Sequence, residues 1–186
     1  MRRQILDVAA KLFREKGVAA TTLRDVARRC GIKAASIYYH FGSKDEILLE
    51  ILDFGIERIF SSVKDAVARL PKNAPFEKKL RAAIHAHVES FFVYGDYTAT
   101  NIRVFGQAPK SVRKRNLALR DRYERWWKDF FEQGRKSGEL RAGLDLGIVR
   151  LFLFGAMNRT VEWYRPTGGL DLVELSGRFT DILVCG

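Results

Sequence analysis

The sequence predicts an all-α protein, with an N-terminal three-helix helix-turn-helix domain followed by a larger helical domain. Three observations carry this. Apolar residues recur at three- and four-residue spacing along most of the chain. Helix starts and stops are marked by Ser or Thr caps and by Gly or Pro breaks. No segment shows convincing strand alternation, and there is no internal repeat or low-complexity tract.

The first helix is set by Ile5, Val8, Ala9, Leu12 and Phe13, and Gly17 stops it. Thr22 caps the second helix with Asp25 three residues on, a capping-box spacing. Its apolar stripe is Leu23, Val26, Ala27 and Cys30, ended by Gly31. A third helix is expected over 34–41 and stops at Gly42. Ser43, with Glu46 at the third position, caps a fourth helix that reads through to about Leu70. "PKNAP" at 71–75 is the clearest loop. Helices are expected beyond it over 76–95, 98–107, 110–137, 145–164 and 170–184. We set the domain boundary at 1–47 and 48–186.

The formal net charge is +11 with a pI near 9.9, which suggests an anionic partner such as nucleic acid, a phosphorylated ligand or a membrane surface. The excess is concentrated: residues 1–50 carry ten basic against six acidic side chains, and 101–141 carry twelve against five. Cys30 and Cys185 lie nearly the whole chain apart, so neither a disulfide framework nor a zinc site is indicated. Cys30 is expected in the core and Cys185 near a frayed terminus. The longest clean apolar run, Leu151 to Met157, is too short to span a bilayer, and no signal peptide is recognisable, so a cytoplasmic protein without a membrane partner is expected. Enzyme signatures are missing: no GxSxG elbow, Walker A loop or metal-ligand spacing, and no cofactor is expected. His85 and His87, two apart on a helix, point in different directions and make no metal-ligand pair.

The stretch "GIKAASIYYHFGSKDEI" (31–47) is the most informative. At 100° per residue, Ala34, Ile37, Tyr38 and Phe41 share an apolar arc, while Ala35, Ser36, Tyr39 and His40 fall opposite. A face that is small at its start and polar-aromatic at its end suits a helix entering a DNA major groove N-terminus first. Tyrosine hydroxyls and an imidazole can donate to flanking phosphates. Lys44 at the start of the fourth helix adds an ammonium to the helix dipole, and the cap Thr22 offers a hydroxyl; both favour phosphate. The plainer alternative is a three-helix core with a solvated basic face.

"TTLRDVARRCGIKAASIYYHFGSKDEI" resembles the DNA-binding signature of the TetR/AcrR family of transcriptional regulators, over residues 5–50. The resemblance implies an Ω-shaped homodimer on a palindromic operator in double-stranded DNA. It places base reading on Ala34, Ala35 and Ser36, and phosphate contacts on Thr22, Tyr38, Tyr39, His40 and Lys44. Lys33 stands where the family usually has a Ser or Thr cap, and a phosphate or a guanine edge is its expected contact.

The resemblance also implies that the C-terminal helices bind a small-molecule effector and that the last two helices pair across the dimer axis. "IVRLFLFGAMN" (148–158) is apolar nearly all round and must be covered on several sides. Tyr123, Trp127 and Phe131, at i, i+4 and i+8, form an inward stripe. With Phe91 they are candidate effector contacts or plain core filler; Asn158 and Glu162 are expected to continue the inward face of their helix as polar contacts. The basic run at 110–122 has two readings. It is a solvated face, or, with Arg103, it draws in a phosphate-bearing ligand. "RDRYERWW" and "NRTVEWYRP" are similar to segments of members that sense acyl-CoA thioesters, including fatty-acid and steroid-degradation repressors. The expected activity is a repressor released by such a thioester, with an uncharged aromatic or drug-like effector, or a ligand-free DNA-binding protein, as the alternatives.

Overall fold

The computed structural model describes residues 1–184; Cys185 lies outside the described residues. These residues form α1 (Arg2–Lys16), α2 (Leu23–Cys30), α3 (Ala34–Tyr38), α4 (Lys44–Ala68), α5 (Phe76–Val93), α6 (Asp96–Val104), a 3-10 turn (Phe105–Gln107), α7 (Lys110–Lys136), α8 (Leu146–Trp163) and α9 (Leu172–Val184). No strand occurs among them.

Two compact units emerge, neither continuous in sequence: Met1–Arg58 with Tyr94–Arg120, and Ile59–Val93 with Asp121–Gly186. Both α4 and α7 pass from one unit into the other.

In the first unit, α1 packs on α2 and α6 around Ile5, Ala9, Phe13, Val26, Ile37, Phe41, Leu48 and Leu52. The capping box is complete: Thr22 Oγ1 accepts from Asp25 N while the Asp25 carboxylate accepts from Thr22 N. Gly31 then takes the left-handed conformation (φ 70°, ψ 28°) that closes α2. Polar bonds hold α6 in place. Tyr97 Oη donates to Asp7 (2.6 Å), Thr100 Oγ1 to Ala10 O (3.1 Å) and Asn101 Nδ2 to Leu52 O (3.0 Å). Gly55 is required at this crossing, because a Cβ there would sit 2.8 Å from the Tyr97 carbonyl oxygen and closer still to the Asn101 amide.

In the second unit, α5 packs on α8 and α9. Its centre is aromatic: Phe76, Tyr123, Trp127, Phe130 and Phe131 are buried in mutual contact, with Phe60 on α4 against Tyr123 and Trp126. Burying such rings contributes about 2 kcal/mol or more apiece from removed apolar surface.

The third helix is shorter than the expected 34–41. It ends at Tyr38, and Tyr39 and His40 form a turn in which the His40 and Phe41 amides both donate to Ile37 O at 2.9 Å. Lys33 supplies no side-chain cap, so the five-residue helix is held by burial of Ile37 and Phe41.

Candidate nucleic-acid interface and effector site

The DNA-reading candidates lie together on α3 and the turn after it. Lys33, Ala35, Ser36, Tyr38 and Tyr39 are exposed, Tyr39 at 87% the most of any large apolar side chain in the described residues. Ala34 and His40 are half-buried. The Tyr39 and His40 rings meet edge to face with centroids 5.1 Å apart. Tyr38, expected to flank the core, stands 61% exposed beside them. Buried Ile37 and Phe41 anchor the segment from below, so the outward residues are carried on a fixed base.

Two flanking candidates are already engaged within the protein. The Thr22 hydroxyl donates to Asp25 Oδ2 at 2.7 Å, and those hydrogen bonds, backbone included, hold the Asp25 carboxyl below its ordinary pKa. Lys44 Nζ donates to Val18 O (2.7 Å) and Thr21 O (2.9 Å), the two carbonyls of the turn before α2. An ammonium has three protons, so one is left for an outside acceptor. Sequence reasoning missed this clamp, since partners 23 and 26 residues away leave no local signal.

In the second unit, α5 and α7 bring His87 and Tyr123 together. His87 Nδ1 lies 2.7 Å from Tyr123 Oη, and His87 Nε2 lies 3.3 Å from Asn158 Oδ1 on α8. The imidazole is sealed by Phe91 and Phe154, with ring centroids 5.1 and 5.5 Å away. Burial pushes its pKa down to about 4, with the Asn158 hydrogen bond opposing, so it is neutral at physiological pH. Burial likewise raises the Tyr123 phenol well above its ordinary range. The Trp127 indole N–H counters slightly from nearby, but Nε1 reaches no hydrogen-bond geometry with any partner.

The expected inward stripe of Tyr123, Trp127 and Phe131 is buried, at 2, 0 and 0% exposure, and Phe91 is buried beside it. Asn158 is half-buried and joins them. Glu162 does not. It is exposed, and its carboxylate pairs with Arg159 at 3.0 Å. At 100° per residue it falls in the outward arc with Ile148, Leu151, Gly155 and Phe152, opposite the buried Val149, Leu153, Met157 and Thr160. The expectation of an inward Glu162 is corrected accordingly. His87 was dismissed with His85 as a failed metal pair, yet Leu80, Ala83, Ile84, His87 and Phe91 follow one helical stripe, and that spacing was the available signal. Arg103 is exposed on α6 of the first unit, as are Lys110, Lys114 and Arg115 at the start of α7.

Among the described residues no cluster of three or more His, Cys, Asp or Glu could hold a metal, and no helix is long and apolar enough to cross a membrane.

Two family descriptions match the chain: "Bacterial regulatory proteins, tetR family" over residues 5–51 and "Tetracyclin repressor-like, C-terminal domain" over 73–186. The chain belongs to the TetR family. It is a DNA-binding transcriptional regulator, and the exposed α3 face lies within the residues this TetR-family match covers. The HTH-type transcriptional repressor KstR2 of Rhodococcus jostii (strain RHA1) is 30% identical over 100% of the chain and 90% of the relative. The fatty acid metabolism regulator protein of Bacillus subtilis (strain 168) is 27% identical over 98% and 93%. Among solved structures, the ketosteroid transcriptional regulator KstR2 of Mycobacterium tuberculosis superposes with a TM-score of 0.83 at 27% identity, covering 100% of this chain and 93% of that one.

Proposed function

We propose that this TetR-family regulator is a homodimeric repressor that leaves a palindromic operator when a CoA thioester with an apolar acyl group binds its C-terminal helices. The observation that carries the effector reading is the hydrogen-bonded His87–Tyr123–Asn158 chain enclosed by Phe91, Trp127 and Phe154. Three polar side chains in an aromatic core are costly to desolvate and add less stability than apolar residues of the same shape, so selection for a ligand accounts for them better than selection for folding. Relatives named for fatty-acid metabolism and for ketosteroids support an apolar, acyl-bearing effector.

Operator reading falls to Ala34, Ala35 and Ser36, with Thr22, Lys33, Tyr38, Tyr39, His40 and Lys44 on the phosphates. The dimer forms through α8 and α9, where Ile148, Leu151, Phe152, Trp163, Val173 and Ile182 are 49–63% exposed. Exposed apolar side chains on two elements that both pack on α5 are what an isologous partner covers. Because α4 and α7 run on from one compact unit into the other, they are the elements through which effector binding would reach α3. Tenfold release requires a preference of only about 1.4 kcal/mol between DNA-competent and incompetent states.

The test is fluorescence anisotropy of an operator duplex titrated with acyl-CoAs of increasing chain length and with the matching free acids. Release by the thioesters alone is expected. Equal release by the free acids would remove the CoA moiety from the effector reading, and no response to either would transfer the reading to an uncharged aromatic effector.

A further inference from the structure

Within the effector reading above, the His87 chain has a fixed direction. Tyr123 Oη is buried, and its proton needs an acceptor. Its polar neighbours are His87 Nδ1 at 2.7 Å and the Trp127 indole, which has only a donor to offer. The hydroxyl proton therefore goes to Nδ1, because the reverse arrangement leaves it buried and unpaired. With Nδ1 accepting and the ring neutral, the remaining imidazole proton sits on Nε2, which faces Asn158 at 3.3 Å. Only a carbonyl oxygen can accept it, so Asn158 Oδ1 turns to the imidazole and its Nδ2 turns away. Tyr123 thus fixes the tautomer of His87, and His87 fixes the flip of Asn158.

Both Nδ2 protons of half-buried Asn158 are then held out as donors that no acceptor among the described residues takes. The chain ends in a donor beside aromatic rings, not in a charge and not in an acceptor. Phe154 is also half-buried, and its ring stands steeply to those of His87, Tyr123 and Trp127, with centroids 5.5–5.7 Å away. It is the ring an incoming acyl group would displace first.

We propose that Asn158 Nδ2 is a subsite for the effector's carbonyl oxygen, with His87 and Tyr123 as positioning residues that hold the amide in its donating orientation. The partner group is an uncharged acceptor attached to an apolar body, as in the carbonyl of a thioester. A group that only donates finds no partner here, and among the described hydrogen-bond and ring contacts of His87 no cation stands ready for a carboxylate. The side chains around His87 are Tyr123, Asn158, Phe91 and Phe154, none of them charged at neutral pH. A site built to donate one hydrogen bond rejects the isostere that lacks the acceptor, because the donor is then buried without a partner.

Two measurements test this on the full chain. In protein labelled with ¹⁵N-histidine, the His87 signals, assigned by their loss in His87→Gln, should show the Nε2–H tautomer with Nδ1 as a hydrogen-bonded acceptor. Tyr123→Phe should move that signature, which a merely space-filling tyrosine would not do. In the second, decanoyl-CoA is compared by calorimetry with decyl-CoA, the thioether of the same chain that lacks only the carbonyl oxygen. Wild type should favour the thioester by about tenfold or more. Asn158→Leu should abolish that ratio and Tyr123→Phe should narrow it, while thermal melts confirm that both variants fold. Tight binding of both compounds with a ratio near one would overturn the subsite and leave the CoA-thioester effector standing. Binding of neither would overturn the effector class and the subsite with it. An Nδ1–H tautomer would overturn the assigned direction of the chain.

Discussion

Lowering the pH should destabilise this protein through one buried imidazole. His87 is enclosed by Tyr123, Phe91, Phe154 and Asn158, and burial takes its pKa from the ordinary 6.5 to about 4. The folded state therefore holds the ring neutral over a range where the unfolded chain protonates it. Well above pH 6.5 both states are neutral and the stabilisation is complete. As pH falls from 6.5 towards 4 the unfolded state gains a proton that the folded state refuses, and stability drops. Below pH 4 the loss levels off. A depression of that size corresponds to ~3 kcal/mol per chain in total, of which about 2 kcal/mol is gone by pH 5. Against the 5–15 kcal/mol that holds a typical domain together, this is a large share. Urea unfolding at fixed protein concentration, at pH 7.5, 6.5, 5.5 and 5.0, measures it. His87→Phe removes the titrating group, so the difference between wild type and variant should fall by about 2 kcal/mol across the series. Parallel stability curves for the two proteins would refute a buried neutral His87.

Gly55→Ala should cost roughly 1–3 kcal/mol, seen as a lower Tm, because the new Cβ meets the Tyr97 carbonyl oxygen at 2.8 Å and the Asn101 amide closer still. Thr22→Ala removes the Oγ1 that accepts from Asp25 N, while the residue-22 amide keeps the Asp25 carboxylate, and should cost about 1 kcal/mol in the same melt. Lys44→Ala should weaken binding to every duplex and flatten the plot of log affinity against log salt by about one. Because it also strips a donor from the Val18 and Thr21 carbonyls, a stability loss of about 1–3 kcal/mol should accompany it; an unchanged melt would refute the clamp. Ser36→Ala should instead change which operator bases are preferred while leaving the salt slope intact, read by competition among single-base operator variants.

What the sequence discloses and what it withholds follow the range of the interactions concerned. The box of Thr22 and Asp25, the left-handed Gly31 and the core pair Ile37 and Phe41 are all decided within a few residues, and each could be read directly from spacing. The third helix ends at Tyr38, where the His40 and Phe41 amides both turn back to Ile37 O, but helical periodicity persists through the Tyr39–His40 turn and conceals the end. Glu162 shows the limit of periodicity on a helix such as α8. Where apolar residues occupy both the inward and the outward arc, the pattern has no preferred direction, and only packing against α5 sets one. His87 and Lys44 show a different limit. Each was legible as a residue type in its place, a histidine in an apolar stripe and a lysine at a helix start. Their roles are fixed by Tyr123, Asn158, Val18 and Thr21, which lie 23–71 residues away. Under the function proposed above, those long-range polar contacts are the ones that matter: a lysine that holds the turn before α2, and a histidine whose single proton would decide which way an asparagine faces. Exchanging Lys44 for Arg or His87 for Gln preserves the residue class that the sequence pattern registers and destroys the geometry that it does not.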